Sequence, residues 1–238
     1  MQNTHIIIMA GGVGSRFWPF SRTNYPKQFH DVLGTGKTLL QQTISRFEGI
    51  CPIENIYIVT SQEYKDLIQE QVPALSSDQI LLEPHRRNTA ACIAYACYKI
   101  ASKNPDANIL VAPSDHIILN EAAFKETVRT ALQETQDHDI LLTLGIQPSR
   151  PDTGYGYIQY LPGESIVKKV KTFTEKPHLE LAKQFIDSGD FVWNAGIFIW
   201  NVRAFKTALR THLPEMAEIF ETGKYNYFTE SEAEFIHT

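Results

Sequence analysis

Ile6-Ile-Ile-Met-Ala-Gly-Gly-Val-Gly-Ser-Arg16 joins a run of β-branched apolar residues directly to three glycines and an arginine. An apolar run without polar alternation suits a strand buried on both faces, as in a parallel sheet. Gly11, Gly12 and Gly14 permit close backbone approach and positive φ, so successive N–H groups can face phosphate oxygens. Arg16 adds a planar fork of donors. A glycine turn after a strand is by itself a weak signal, and its neighbours must say what it holds.

Two familiar phosphate loops are excluded by position. A dinucleotide fingerprint beginning at Gly12 needs a third glycine at position 17, where Phe17 stands, and no acidic ribose partner is evident about 20 residues on. Gly36-Lys37-Thr38 resembles the end of a P-loop, but Asp31 occupies the place of its first glycine and no buried strand precedes it. Thr38 reads instead as a helix start and Lys37 as a solvated side chain. Trp18-Pro-Phe-Ser-Arg22 and Pro26-Lys-Gln-Phe29 extend the loop with rigid prolines and two further cations, more than a simple turn requires.

Beyond the loop, short apolar runs alternate with helical periodicity. His5–Met9, Asn55–Thr60, Gln79–Glu83, Asn108–Ala112 and Asp139–Leu144 read as strands, with helices near 38–49, 62–72, 88–103 and 121–137. That rhythm predicts βαβ units and a mostly parallel, doubly wound α/β sheet. After residue 150 the strands Tyr155–Tyr160, Ile166–Thr174 and Phe191–Trp200 follow one another with one helix-like insert at 178–188, which suggests antiparallel additions. Ligands of open parallel sheets sit beyond the carboxyl ends of the strands, so the residues just after each strand are the candidates for chemistry.

The 238 residues are 43% hydrophobic and 21% charged, the composition of an ordinary globular protein with a substantial core. The net charge of −5 argues against a general nucleic-acid binder. Residues 1–46 nevertheless carry Arg16, Arg22, Lys27, Lys37 and Arg46 against Asp31 alone, which fits a small polyanion near this end. No apolar stretch approaches the roughly 20 residues of a membrane span, and Met1-Gln-Asn-Thr-His5 lacks a basic leader, so neither export nor membrane insertion is expected. Cys51, Cys92 and Cys97 have no metal-type spacing and fit structural thiols in a reducing cytoplasm.

The blocks Met9–Arg22 and Pro26–Phe29 together resemble the signature of the mannose-1-phosphate guanylyltransferases, a family of sugar-1-phosphate nucleotidyltransferases. Glu83-Pro-His-Arg-Arg-Asn-Thr-Ala90, Pro113-Ser-Asp-His116, Thr153-Gly-Tyr-Gly-Tyr-Ile158, Phe173-Thr-Glu-Lys-Pro177 and Trp193-Asn-Ala-Gly-Ile-Phe-Ile-Trp200 resemble its later blocks, in the family's order. Phe17, Ala91 and Ser114 are small departures, where leucine, proline and alanine are usual. Family members continue into an aspartate that completes the metal site and a C-terminal β-helical segment. Nothing of that kind precedes Thr238, so 1–238 is read as one nucleotidyltransferase domain, Rossmann-like and GT-A-like, with the C-terminal part of the family architecture missing.

The resemblance implies transfer of GMP from GTP to mannose 1-phosphate with Mg²⁺ as cofactor, and a homodimer as the family expectation. The sugar-phosphate nucleophile is largely ionised at neutral pH, since its second pKa is about 6, so no strong general base is needed. Catalysis then rests on positioning and on neutralising anions. By resemblance, Gly11, Gly12, Gly14, Ser15 and Arg16 would cradle the β- and γ-phosphates, and Lys27 would stabilise charge at the reacting phosphate. Asp115 would ligate magnesium, with His116 structural beside it. Glu83 is the candidate reader of the guanine donors, and Asn88 is either a helix N-cap or a second base contact. Tyr155 and Gly156 would wall the sugar, Glu175 and Asn194 would bind its hydroxyls, and Lys176 its phosphate. Trp193 and Trp200 read as packing residues.

Overall fold

The computed structural model describes residues 3–83 and 88–222, with the side chain of Arg16 also outside the description. Leu142–Phe198 forms one compact unit and the remaining chain another. The larger unit runs β1 (Thr4–Met9), α1 (Leu39–Arg46), β2 (Ile56–Ser61), α2 (Lys65–Gln71), β3 (Ile80–Glu83), α3 (Asn88–Lys103), β4 (Asn108–Pro113) and α4 (Glu121–Asp137). Its strands are all parallel, in the order β3-β2-β1-β4. The chain steps outward from β1 to β3 and then crosses back to β4 on the other side of β1. The strand order therefore reverses between β1 and β4, the place where an open sheet of this kind opens a crevice.

β1 takes the centre because Ile6, Ile7 and Ile8 are wholly buried and need cover on both faces. In register, Met9 stands beside Val59 on one side and Pro113 on the other, so the carboxyl ends of β1, β2 and β4 lie level. Helix starts follow local chemistry. The Thr38 hydroxyl accepts from the Gln41 N–H while the Gln41 side chain accepts from the Thr38 N–H, a complete capping box at the predicted helix start. Asn120 caps α4 in the same sense, through Ala123 N.

The smaller unit holds β5 (Leu142–Ile146), β6 (Tyr157–Tyr160), β7 (Val170–Thr174), α5 (Leu179–Ser188) and the greater part of β8 (Phe191–Asn201). β6 lies antiparallel between β7 and β8, and β5 pairs with β8. Tyr157, Ala182, Phe191 and Trp193 build its core, with Phe185 stacked on Phe191 at 3.9 Å between ring centroids. Gly145 lies so close to Val192 that a β-carbon there would collide with it, which explains the glycine inside β5.

The βαβ rhythm and the later antiparallel strands are both present, and α3 and α4 have the predicted bounds. β6 begins at Tyr157 instead of Tyr155, α1 ends at Arg46 instead of residue 49 and α2 begins at Lys65 instead of residue 62, and three further features differ. β5 begins at Leu142 instead of Asp139, because the Asp139 carboxylate accepts from Asn201 Nδ2 at 2.7 Å and from Arg203 and is held outside the ladder. β7 begins at Val170 instead of Ile166, since Val167 N turns to Ser165 Oγ and Lys168 Nζ to Gly163 O. Two helices not anticipated, α6 (Val202–His212) and α7 (Pro214–Glu221), follow β8 in the larger unit; Asn201 caps the first through Ala204 N, and Pro214 opens the second.

Cys51, Cys92 and Cys97 are free and buried, as structural thiols should be. Burial pushes the Cys51 and Cys97 thiols up to about 12 and raises that of Cys92 as well, so all three stay protonated at neutral pH. Among the described residues no helix is long and apolar enough to cross a membrane.

Candidate active site

Ala10–Gly14 leaves the end of β1 with its carbonyls turned inward. Ala10 O accepts from Gln28 Nε2 at 3.0 Å and from Thr60 Oγ1 at 3.1 Å. Gln28 Nε2 also reaches Gly12 O at 3.0 Å, and Ser21 Oγ donates to Val13 O at 2.9 Å. The N–H groups of Gly11, Gly12, Val13 and Gly14, by contrast, meet no acceptor among the described residues. A loop with most of its acceptors bonded and its donors free can receive an anion through backbone N–H groups, without any side chain.

Each glycine has its own reason. Gly14 is left-handed, at φ 62°, and a β-carbon on it would stand 2.7 Å from Ser21 Oγ and 3.0 Å from Lys27 Cγ. A β-carbon on Gly12 would meet nothing within 4 Å, so the loop faces open space there. One on Gly11 would lie 3.7 Å from Glu83 Oε2, which puts the carboxylate at the end of β3 beside the loop. Ser15 is exposed and opens a short turn, Ser15–Phe17.

Lys27 follows Pro26 in a second short turn, its N–H bonded to Ser21 Oγ at 3.0 Å. Its ammonium sits 2.6 Å from Asp115 Oδ2 and 4.9 Å from the centre of the Phe17 ring, a cation–π contact that gives the unusual Phe17 a role. The two side chains are 22% and 27% exposed, so the pair is partly shielded yet reachable. Asp115 stands just past β4, on the far side of the strand-order reversal from the loop. Ser114 N donates to Met9 O at 3.1 Å, and the carbonyls on either side of Asp115 are held from α1: Ser114 O by Thr43 Oγ1 and His116 O by Arg46 Nη2, both at 3.2 Å. Burial holds the His116 imidazole below its usual range and therefore neutral, as a structural histidine would be.

Glu83 ends β3 and hydrogen-bonds the Cys92 thiol of α3. Asn88 is the first residue of α3, with φ 68°, a left-handed conformation that asparagine tolerates better than most residues. The Arg16 side chain lies outside the described residues.

In the smaller unit Gly156, Glu175, Lys176 and Asn194 come together. Gly156 O accepts from Asn194 N at 2.8 Å, and a β-carbon on Gly156 would stand 3.0 Å from Glu175 Oε2. Glu175 Oε1 pairs with Lys176 Nζ at 2.7 Å, both side chains well exposed. Asn194 Oδ1 accepts from Gly196 N at 2.9 Å and Thr143 Oγ1 at 3.4 Å, and its amide N–H₂ has no hydrogen-bond partner among the described residues. Tyr155 rests on Trp193, ring centroids 5.0 Å apart, and the Arg150 guanidinium lies 5.5 Å from the same ring. At 7% exposure Trp193 packs, as expected, and Tyr155 offers the open face.

Sequence reasoning missed Ser21, Gln28, Thr43 and Thr60 behind the site, all nearly or wholly buried, and it counted Arg46 among the cations for a polyanion, whereas Arg46 is buried and bonds His116 O. Gln28 and Ser21 lie inside blocks already singled out, where a polar residue locked between prolines and aromatics was the available signal.

An open parallel sheet with free N–H donors, a lysine and a carboxylate at its reversal point is an arrangement suited to a phosphate ligand. The nucleotidyl transferase family model matches residues 5–230, and the chain belongs to that family. It is 38% identical over 220 residues to a mannose-1-phosphate guanylyltransferase of Klebsiella pneumoniae, covering 89% of this chain and 46% of the relative. It is 42% identical over 200 residues to the enzyme of the same name from Salmonella montevideo, covering 80% and 41%. The chain thus spans under half the length of these curated relatives. A crystal structure from Thermus thermophilus described as a mannose-1-phosphate geranyltransferase superposes with a TM-score of 0.88 at 31% identity, over 99% of this chain and 68% of that one.

Proposed function

We propose that this chain carries the transfer site of a mannose-1-phosphate guanylyltransferase, which makes GDP-mannose and pyrophosphate from GTP and mannose 1-phosphate. The observation that carries the reading is the loop of inward carbonyls and free N–H groups beside the Lys27–Asp115 pair. The substrates follow from the names of relatives about 40% identical to it.

In this reading the N–H groups of Gly11, Gly12 and Gly14, with Ser15 and Arg16, hold the β- and γ-phosphates. A phosphate oxygen of the sugar substrate attacks the α-phosphorus, the bond to the β-phosphate oxygen breaks, and pyrophosphate leaves. Lys27 neutralises charge as it grows on the α-phosphate. Asp115 has Oδ1 uncommitted among the described residues, and one carboxylate plus substrate phosphates is a donor set that suits Mg²⁺. When bound there, Mg²⁺ would supply further charge neutralisation. Glu83 accepts from the guanine N1–H and N2–H₂, with Asn88 beside it. Tyr155 and Gly156 border the mannose, Glu175 and Asn194 hold its hydroxyls, and Lys176 its phosphate.

The direct test is pyrophosphate release from GTP and mannose 1-phosphate with Mg²⁺. Release no faster than in a control without sugar phosphate overturns the proposal. Within the same assay, Glu83→Gln turns an acceptor-only group into one that also presents donors to guanine. The GTP over dTTP ratio of kcat/KM should fall about tenfold or more, corresponding to about 1–3 kcal/mol for a lost two-bond contact. An unchanged ratio removes Glu83 as the base reader.

A further inference from the structure

Arg46 is 2% exposed, and burial holds its guanidinium below the usual range, an unfavourable place for a permanent charge. Its acidic partner, Glu121, stands 3.6 Å from Nε and is itself half-exposed, and Nε makes no hydrogen bond. An apolar side chain of similar volume would pack against Phe124, whose ring centre lies 5.9 Å from the guanidinium, at less cost. Packing therefore does not explain this arginine. Its short contact is the bond from Nη2 to His116 O.

Thr43 stands three residues earlier, on the same face of α1, and is 1% exposed. Its hydroxyl donates to Ser114 O. The two side chains thus hold the carbonyls immediately before and after Asp115, while Met9 O takes the N–H of Ser114. The helix that carries them is anchored in turn, through the Thr38–Gln41 capping box and bonds from Thr38 Oγ1 and Gln41 Nε2 to Gln71. Between these points Asp115 has little freedom to leave Lys27.

We infer that Thr43 and Arg46 are positioning residues that fix the Asp115 backbone, and through it the affinity of the site for a divalent cation carried by the nucleotide. The inference rests on the reading of Asp115 given above. Partners that orient a metal-binding carboxylate are typically worth about 10–100-fold in metal affinity or activity.

The experiment compares the protein with its Arg46→Met, Thr43→Val and Asp115→Asn variants. Calorimetry measures the affinity for GTP with Mn²⁺ and for GTP with chelator, and the ratio reads the contribution of the metal. Arg46→Met should lower that ratio about tenfold and Thr43→Val several-fold, with kcat falling in step and KM for mannose 1-phosphate changing less than about twofold. Both variants should unfold at nearly the wild-type temperature, which separates positioning from loss of fold. Wild-type ratios and kcat in both variants overturn the inference. If Arg46→Met does not fold, Thr43→Val, which keeps the side-chain shape, decides by the same criterion. An unchanged ratio in Asp115→Asn removes the reading of Asp115 and the inference with it; a lowered ratio there with unchanged ratios in the other two overturns the inference alone.

Discussion

Lys27→Gln is expected to reduce kcat for pyrophosphate release by about 10²–10³-fold, the loss usually seen when one preorganised group that stabilises transition-state charge is removed. The reason is geometric. The Lys27 ammonium is held by Asp115 Oδ2 at 2.6 Å, its backbone by Ser21, and its charged end by the Phe17 ring, so little reorganisation is needed as charge develops. Glutamine keeps most of the length and loses the charge, and it leaves Asp115 to repel the phosphates. Arginine should rescue poorly, because its planar fork does not fit a site shaped for a compact ammonium. Steady-state kinetics with both substrates saturating give the answer, and a kcat within about threefold of wild type would remove Lys27 from the chemistry.

Gly14→Ala should damage both the loop and the fold around it. An alanine at φ 62° costs about 1–2 kcal/mol. Its β-carbon would also press on Ser21 Oγ, the atom that holds both Val13 O and Lys27 N. The expected result is a loss of about 2–3 kcal/mol in unfolding free energy, read from denaturant midpoints, with the KM for GTP raised about tenfold or more. Gly12→Ala is the matching control for stability. Nothing lies within 4 Å of its β-carbon, so its unfolding midpoint should stay at the wild-type value while GTP binding weakens. Equal stability of Gly14→Ala and wild type would show that the strain is relieved elsewhere.

The central strand was legible because Ile6, Ile7 and Ile8 have no use outside a doubly covered sheet, and the glycines after it because nothing else ends such a strand with open donors. The bounds of α3 and α4 were legible from turn residues and periodicity. The start of β5 was not, because Asp139 is claimed by Asn201 and Arg203, which lie about 60 residues further on. α6 went unread for a related reason: its cap, Asn201, is also the last residue of β8. The same limit applies to the site. Blocks of sequence pointed to Lys27, Asp115, Glu175 and Asn194, but the bonds from Thr43 and Arg46 to the carbonyls around Asp115 join residues about 70 positions apart. Pairings of that kind leave no periodic trace in a single chain.

The three buried thiols also make the protein a reporter of its own opening. A thiol reagent in solution meets no exposed cysteine in the native chain, so each labelling event records a molecule that has locally or globally opened. Cys51 lies beside the start of β1, its Sγ donating to Thr4 O at 3.2 Å, whereas Cys97 is in the middle of α3. Labelling rates at these two positions, followed by mass spectrometry with and without GTP, would time the breathing of the sheet and of the helix separately, with no label to install.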